Sequence, residues 1–267
     1  MTDPIPLMPK PVAQAPFTAL RCPNMLAIAS GKGGVGKTWF SITLCHTLAK
    51  QGKRVLLFDG DLGLANVDIQ LGLAPEKDLG HVVENKLPMA QAITRYDEGG
   101  FDILAGRSGS GTMATLSTEK INAMRGELIA LAQNYDYVFV DLGAGVDRAV
   151  RQMAGPAAQT YVVITDEPTS LTDAYAFIKL SRAANPQAEM KIVINLAATP
   201  YEGRRTYDTI CKVSETFLGY TPPMAGVIRR DSKVRDAIRA QTPLMTRSPN
   251  CEAAQDVGVI AAQLLSD

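Results

Sequence analysis

The sequence predicts an α/β fold, a doubly wound and mostly parallel sheet with helices on both faces. Three observations carry this. From residue 25 onward, short β-branched apolar runs alternate with helix-length segments, a pattern that buries strands under crossover helices on both sides. A glycine-rich loop, Ser30 to Thr38, joins the first of these runs to the first helical segment. Carboxylates stand at the ends of two further runs, which is where open parallel sheets gather their ligands.

Prolines at 4, 6, 9, 11 and 16 forbid a regular helix or inner strand, so residues 1–24 read as a mobile, Pro-rich tail and 25–267 as one domain. Met25 to Ala29 reads as a buried strand, and Thr38 to Lys50 as a helix closed by Gly52. Further strands are predicted at Val55 to Phe58, Phe101 to Leu104, Tyr137 to Val140, Tyr161 to Thr165, Ile192 to Asn195 and Ala225 to Ile228. Ala105 to Thr112, rich in Gly and Ser, reads as a loop. A helix is expected from Glu167 through Leu180, with Thr169 and Ser170 suited to capping. In the last segment, Glu252 to Asp267, Val257, Ile260, Ala261 and Leu264 recur at helical spacing as a core-facing stripe.

Composition narrows the function classes. Lys plus Arg equals Asp plus Glu, 27 each, which argues against a generally basic coat, and no specific nucleic-acid partner is expected. Cys22, Cys45, Cys211 and Cys251 lack Cys-x-x-Cys spacing, and His46 and His81 fit no metal-ligand pattern. Free thiols in a reducing cytoplasm follow, and an iron–sulfur carrier does not. No apolar run approaches the roughly 18 residues of a membrane span, and the start lacks a secretion signal. A cytoplasmic protein is expected.

The loop carries the chemistry. Gly31, Gly36, Lys37 and Thr38 fit G-x-x-x-x-G-K-[ST], in which successive backbone N–H groups cradle phosphate, the lysine reaches the outer phosphates and the hydroxyl holds Mg²⁺. The following helix adds the positive end of its dipole. A nucleotide site is therefore expected over Gly31, Lys32, Gly33, Gly34, Val35, Gly36, Lys37 and Thr38, with ATP and Mg²⁺ as cofactors. Lys32 is additional to the usual pattern. It sits in the tight part of the loop, so its side chain should leave its own nucleotide and find a partner subunit's. Asp59, Asp61 and Asp141 follow buried runs and supply the oxygen ligands that a Mg²⁺–phosphate site needs. Asn195 ends the run Ile-Val-Ile-Asn; an amide there can read a purine edge or simply form a turn.

Lys32-Gly-Gly-Val-Gly-Lys-Thr38, with Asp59-Gly60-Asp61, resembles the deviant Walker A ATPases of the MinD/ParA family, P-loop NTPases of the SIMIBI type. Leu62 to Leu73 and Glu167-Pro-Thr-Ser-Leu-Thr-Asp-Ala-Tyr175 are similar to the branch called FlhG, FleN or YlxH, which sets flagellar number and position. The resemblance implies an ATP-dependent homodimer with Lys32, Lys37 and Asp61 in catalysis. It makes Asp61 the water-positioning residue of the first switch, puts Thr38, Asp59 and Asp141 at the metal, and gives Asn195 to adenine. Asp141-Leu-Gly-Ala-Gly145 becomes the second switch, hinged at Gly143 and Gly145. It also implies protein partners, a flagellar placement GTPase or a transcription activator; division-site selection and DNA segregation are the related outputs.

Three departures stand beside it. Arg229 replaces the usual proline after the last core strand. Glu252 to Asp267 holds no Lys or Arg, so the basic amphipathic membrane helix of relatives is not matched, and recruitment to the inner membrane or pole falls to a partner. The N-terminal partner-activating motif is echoed only by Gln14-Ala15 and Leu20-Arg21.

Overall fold

The computed structural model describes residues 21–61, 63–106 and 116–266. The proline-bearing stretch 1–20 with Gln14-Ala15, residue Leu62, the loop residues 107–115 and Asp267 lie outside them. One eight-stranded sheet, ordered β3-β4-β2-β5-β1-β6-β7-β8, spans the described chain. Its strands are β1 (Cys22–Ser30), β2 (Val55–Gly60), β3 (Ile93–Tyr96), β4 (Phe101–Leu104), β5 (Tyr137–Ala144), β6 (Ala157–Ile164), β7 (Met190–Ala197) and β8 (Met224–Arg229). All neighbouring pairs are parallel except β3 with β4.

The crossover helices cover both faces, as the alternation of apolar runs predicts. Over one face lie α3 (Leu79–Val83), α4 (Thr118–Ala132), α5 (Arg148–Ala154), α6 (Pro168–Ala184) and α7 (Pro200–Leu218). Leu79, Ile121, Leu128, Phe177 and Ile210 from these helices join Leu56, Val140 and Ile192 of the sheet in one buried cluster. Over the other face lie α1 (Lys37–Lys50), α2 (Val67–Leu71), α8 (Ser232–Arg239), α9 (Leu244–Arg247) and α10 (Glu252–Ser266). Phe40, Leu44, Val67, Ala237, Leu244, Val257, Ile260 and Ala261 pack there against Ile28, Leu57 and Val193.

Three differences from the sequence reading have local causes. β1 starts at Cys22, inside the segment assigned to the tail; its pairing with β5 begins only at Met25, so Pro23 removes no bond on that side. β3 is a four-residue antiparallel edge strand beside β4, too short to show a period. The N-cap of α6 is Glu167 with Pro168 in the first turn, and neither Thr169 nor Ser170 caps it. Ser170 Oγ instead accepts the Thr165 backbone N–H at 3.0 Å, fixing the turn out of β6.

Arg229 is committed within the chain. Its Nε donates to Asp256 Oδ2 and a terminal nitrogen to Asp256 Oδ1, both at 2.9 Å, while the other terminal nitrogen meets Glu252 Oε1 at 2.6 Å. This two-pronged clasp fastens the end of β8 to α10, whose Val257, Ile260 and Ala261 stripe is buried as expected.

Candidate nucleotide site

The sheet order places β2, β5 and β1 side by side, so the loop after β1 and the acidic ends of β2 and β5 converge without long connections. Asp59 and Asp141 are register partners across β2 and β5. The loop itself fits a phosphate. Gly34 and Gly36 hold φ of +78° and +93°, in the left-handed region that glycine enters freely, and no side chain projects between the loop's N–H groups there. Gly36 hands the chain to α1, which begins at Lys37.

Lys37 is buried. Burial lowers the pKa of its ammonium, and the neighbouring Asp141 and Asp61 carboxylates pull it back up. Asp141 accepts hydrogen bonds from the Thr38 hydroxyl and from Ser41 Oγ at 3.0 Å. Burial raises its pKa to about 6 against these donors and Lys37. A buried carboxylate held up in this way gains from a nearby cation. The set of Thr38 hydroxyl, Asp141 carboxylate and buried ammonium thus fits a Mg²⁺–polyphosphate group. Among the described residues no cluster of three or more His, Cys, Asp or Glu side chains could hold a metal ion, so the remaining ligands would be phosphate oxygens and water, the usual habit of Mg²⁺.

Asp59, likewise expected at the metal, also binds backbone. Its Oδ2 accepts the backbone N–H groups of Asn66 and Val67, each at 3.0 Å, and its Oδ1 that of Asp61 at 3.3 Å. It clamps the segment leading into α2. Burial, and then Asp141, push its pKa up to about 8 against these three donors. Asp61 lies over the end of β5, where a Cβ on Gly143 would come within 3.2 Å of its Oδ1. That oxygen accepts the Leu64 N–H at 2.9 Å. Gly145, at φ +104°, donates its N–H to the Ser30 carbonyl at 2.9 Å, tying the segment after β5 to the end of β1.

Asn195 is buried under the loop, not turned to solvent: its Nδ2 donates to the Val35 carbonyl at 2.8 Å. A Cβ on Gly36 would lie closer than 3.0 Å to that nitrogen. The amide therefore braces the phosphate loop in this state.

Lys32 is held at the start of α6. Its Nζ pairs with Glu167 at the start of α6 and donates to Thr169 Oγ1 at 3.0 Å. Gly31 is backed by the same helix, since a Cβ there would approach the Asp173 backbone closer than 3.0 Å. Sequence reasoning singles out the Glu167-Pro-Thr-Ser segment without a chemical step; the structure puts it against the phosphate loop. Ser41, one helical turn beyond Lys37, is a site residue that sequence reasoning misses; a small hydroxyl on the loop-facing side of α1 is its only signal.

The comparisons with known proteins agree with this geometry. Residues 26–244 match the CobQ/CobB/MinD/ParA nucleotide binding domain. The chain is 35% identical over 241 residues to the antiactivator FleN of Pseudomonas aeruginosa, covering 90% of this chain and 86% of that protein. It is 31% identical over 244 residues to the flagellum site-determining protein YlxH of Helicobacter pylori, covering 91% and 82%. Among solved structures, the MinD cell division protein of Aquifex aeolicus superposes with a TM-score of 0.75 at 27% identity, covering 91% of this chain and 97% of that one. With the loop and the sheet order in place, the chain belongs to the CobQ/CobB/MinD/ParA family of nucleotide-binding proteins.

Proposed function

We propose that the protein is an ATP-dependent dimerisation switch with Mg²⁺-dependent ATP hydrolysis, and that it regulates flagellum number or placement. The observation that carries the switch is Lys32: a lysine inside a phosphate loop that turns away from its own cradle and is held by Glu167 and Thr169. An exposed ion pair of this kind is worth about 1 kcal/mol or less, so a better anion can displace it, and the triphosphate in a second copy's loop is such an anion. With nucleotide bound, Lys37 and the loop N–H groups would hold its phosphates, Thr38 and Asp141 would hold Mg²⁺ and its water with Asp59 supporting them, and Asp61 would orient the attacking water. Mg²⁺ would neutralise charge on the transferred phosphoryl group. Gly143 and Gly145 let the second switch follow the γ-phosphate. The flagellar output is supported by the relatives named antiactivator FleN and YlxH. The former name also favours a second reading, a nucleotide-bound regulator of a transcription activator whose own turnover is negligible.

Light scattering with ATP, paired with phosphate release, tests the proposal. Wild-type protein is expected to dimerise with ATP and Mg²⁺. Lys32→Ala should bind ATP as a monomer without turnover, and Asp61→Ala should accumulate as an ATP-bound dimer. A fully active monomeric Lys32→Ala protein refutes the trans lysine, and an Asp61→Ala dimer with wild-type turnover refutes the role given to Asp61.

A further inference from the structure

The zero net charge of the chain conceals a local excess of cations around α8. Between residues 229 and 247 stand Arg229, Arg230, Lys233, Arg235, Arg239 and Arg247 against Asp231 and Asp236. Arg229 is spent on α10, and Asp231 on the N-cap of α8, where it accepts the Lys233 N–H at 2.9 Å. The other five cations are exposed, and among the described residues none has a carboxylate within ion-pair distance. Arg235 and Arg239 lie one turn apart, so they share the helix face opposite the buried Ala237.

This face adjoins an apolar one. α2 packs on α8: Gln70 and Leu71 meet Ala237 and Ile238 around a small cavity, and Gln241 Nε2 donates to the Ile69 carbonyl at 2.9 Å. Ile69 is 51% exposed, and Leu64, at the entry to α2, is 69% exposed. Two large apolar side chains thus stand on the α2 side of α8, with Asp68 between them in sequence, and Arg235 is one turn from the Ile238 that meets α2.

We propose that α2 and α8 form a docking surface for an acidic, amphipathic protein segment, its apolar side chains on Leu64 and Ile69 and its carboxylates on Arg235 and Arg239. Charge complementarity sets the sign of the partner. The exposed apolar pair selects a protein segment over a nucleic-acid backbone, which would use the cations and leave Leu64 and Ile69 unpaired in water. A lipid surface is disfavoured because Ile69 lies on a five-residue helix whose start Asp59 clamps and Leu64 lies outside that helix, so the pair cannot turn as one amphipathic face into acyl chains. The inference does not depend on the dimerisation reading, since Ile69, Arg235 and Arg239 lie outside the residues given to the nucleotide.

The test uses the full chain and a fluorescent helical peptide with leucines on one stripe and glutamates beside them, against the same peptide with lysines for glutamates, duplex DNA, and phosphatidylglycerol vesicles. The acidic peptide is expected to bind in a salt-weakened way. The Arg235→Glu/Arg239→Glu double variant should lose about tenfold in affinity while keeping ATP hydrolysis and thermal stability, and Ile69→Asp should weaken binding separately. Equal peptide affinity in wild type and the double variant overturns the proposal. So does equal binding of the lysine peptide, or tighter binding of duplex or vesicles that the same double variant abolishes.

Discussion

Replacing Gly31 by Ala separates two reasons for a glycine in this loop. Gly31 is not among the positive-φ residues, so an alanine there carries no backbone strain. What it meets is the Asp173 main chain on α6, with carbonyl carbon and oxygen both closer than 3.0 Å to the new Cβ. A backbone atom inside a helix cannot swing aside as a side-chain tip does, so the loop or α6 must shift by more than a few tenths of an ångström. Overpacking of this sort costs about 1–3 kcal/mol, and a rigid obstacle puts it in the upper half. At about 2–4 °C per kcal/mol for a domain of this size, the ligand-free protein should melt about 4–12 °C lower. Gly33→Ala is the internal control, because its nearest atom, Ala144 Cβ, is 3.8 Å away; its melting point should stay close to wild type. Scanning calorimetry with ATP titration reads both consequences. If α6 yields, ATP affinity survives while the Lys32–Glu167 pair is lost; if the loop yields, affinity falls. A Gly31→Ala protein with unchanged melting point and affinity, or a Gly33→Ala protein as unstable as Gly31→Ala, would refute the reasoning.

Lys37→Ala should abolish ATP binding, since it removes the cation facing the outer phosphates and leaves Asp141 and Asp61 unopposed; wild-type affinity in an equilibrium titration sinks that assignment. His46, buried on α1, supplies a pH test. Burial, and then Lys50, lower its pKa to about 4 from an ordinary 6.5, and its Nδ1 has no hydrogen-bond partner among the described residues. Because the folded pKa lies below the unfolded one, this contribution is intact above pH 6.5 and is lost as pH falls towards 4, amounting at the acid end to roughly 3 kcal/mol. His46→Phe should flatten the pH dependence of urea unfolding between pH 6.5 and 4, and an unchanged slope counts against burial as the cause.

The fold was legible wherever burial on both sheet faces wrote apolar runs into the chain. Val55 to Phe58 and Ile192 to Asn195 sit inside the observed strands, and the α10 stripe at Val257, Ile260 and Ala261 is buried. β3 was not legible: an edge strand of four residues has one neighbour and one buried side chain, Tyr96, so it carries no run and no alternation. Boundaries failed for a related reason. β1 begins at Cys22, ahead of the apolar run that starts at Met25, and only one side of it is paired at that point.

Within the site, what sequence motifs convey is residue type at a backbone position, and the structure adds which atoms are already taken. Asp59, Asp61 and Asp141 look equivalent as carboxylates near a phosphate loop, yet both Asp59 oxygens accept backbone N–H groups, Asp61 overlies Gly143, and Asp141 alone is bonded to hydroxyls of α1. For Asp141 the distinction arises across the sheet, from residues about a hundred positions away, and for Asp59 from the turn into α2, whose path no residue spacing encodes. Lys32 is the converse case. The crowding of a glycine-rich loop suffices to predict that its side chain leaves the cradle, but its waiting partners, Glu167 and Thr169, are set by the crossover that lays α6 over β1. That contact gives the branch-specific Glu-Pro-Thr-Ser segment a physical role, because it holds the cation that the proposed dimer must release, at an energy small enough for a triphosphate to outcompete.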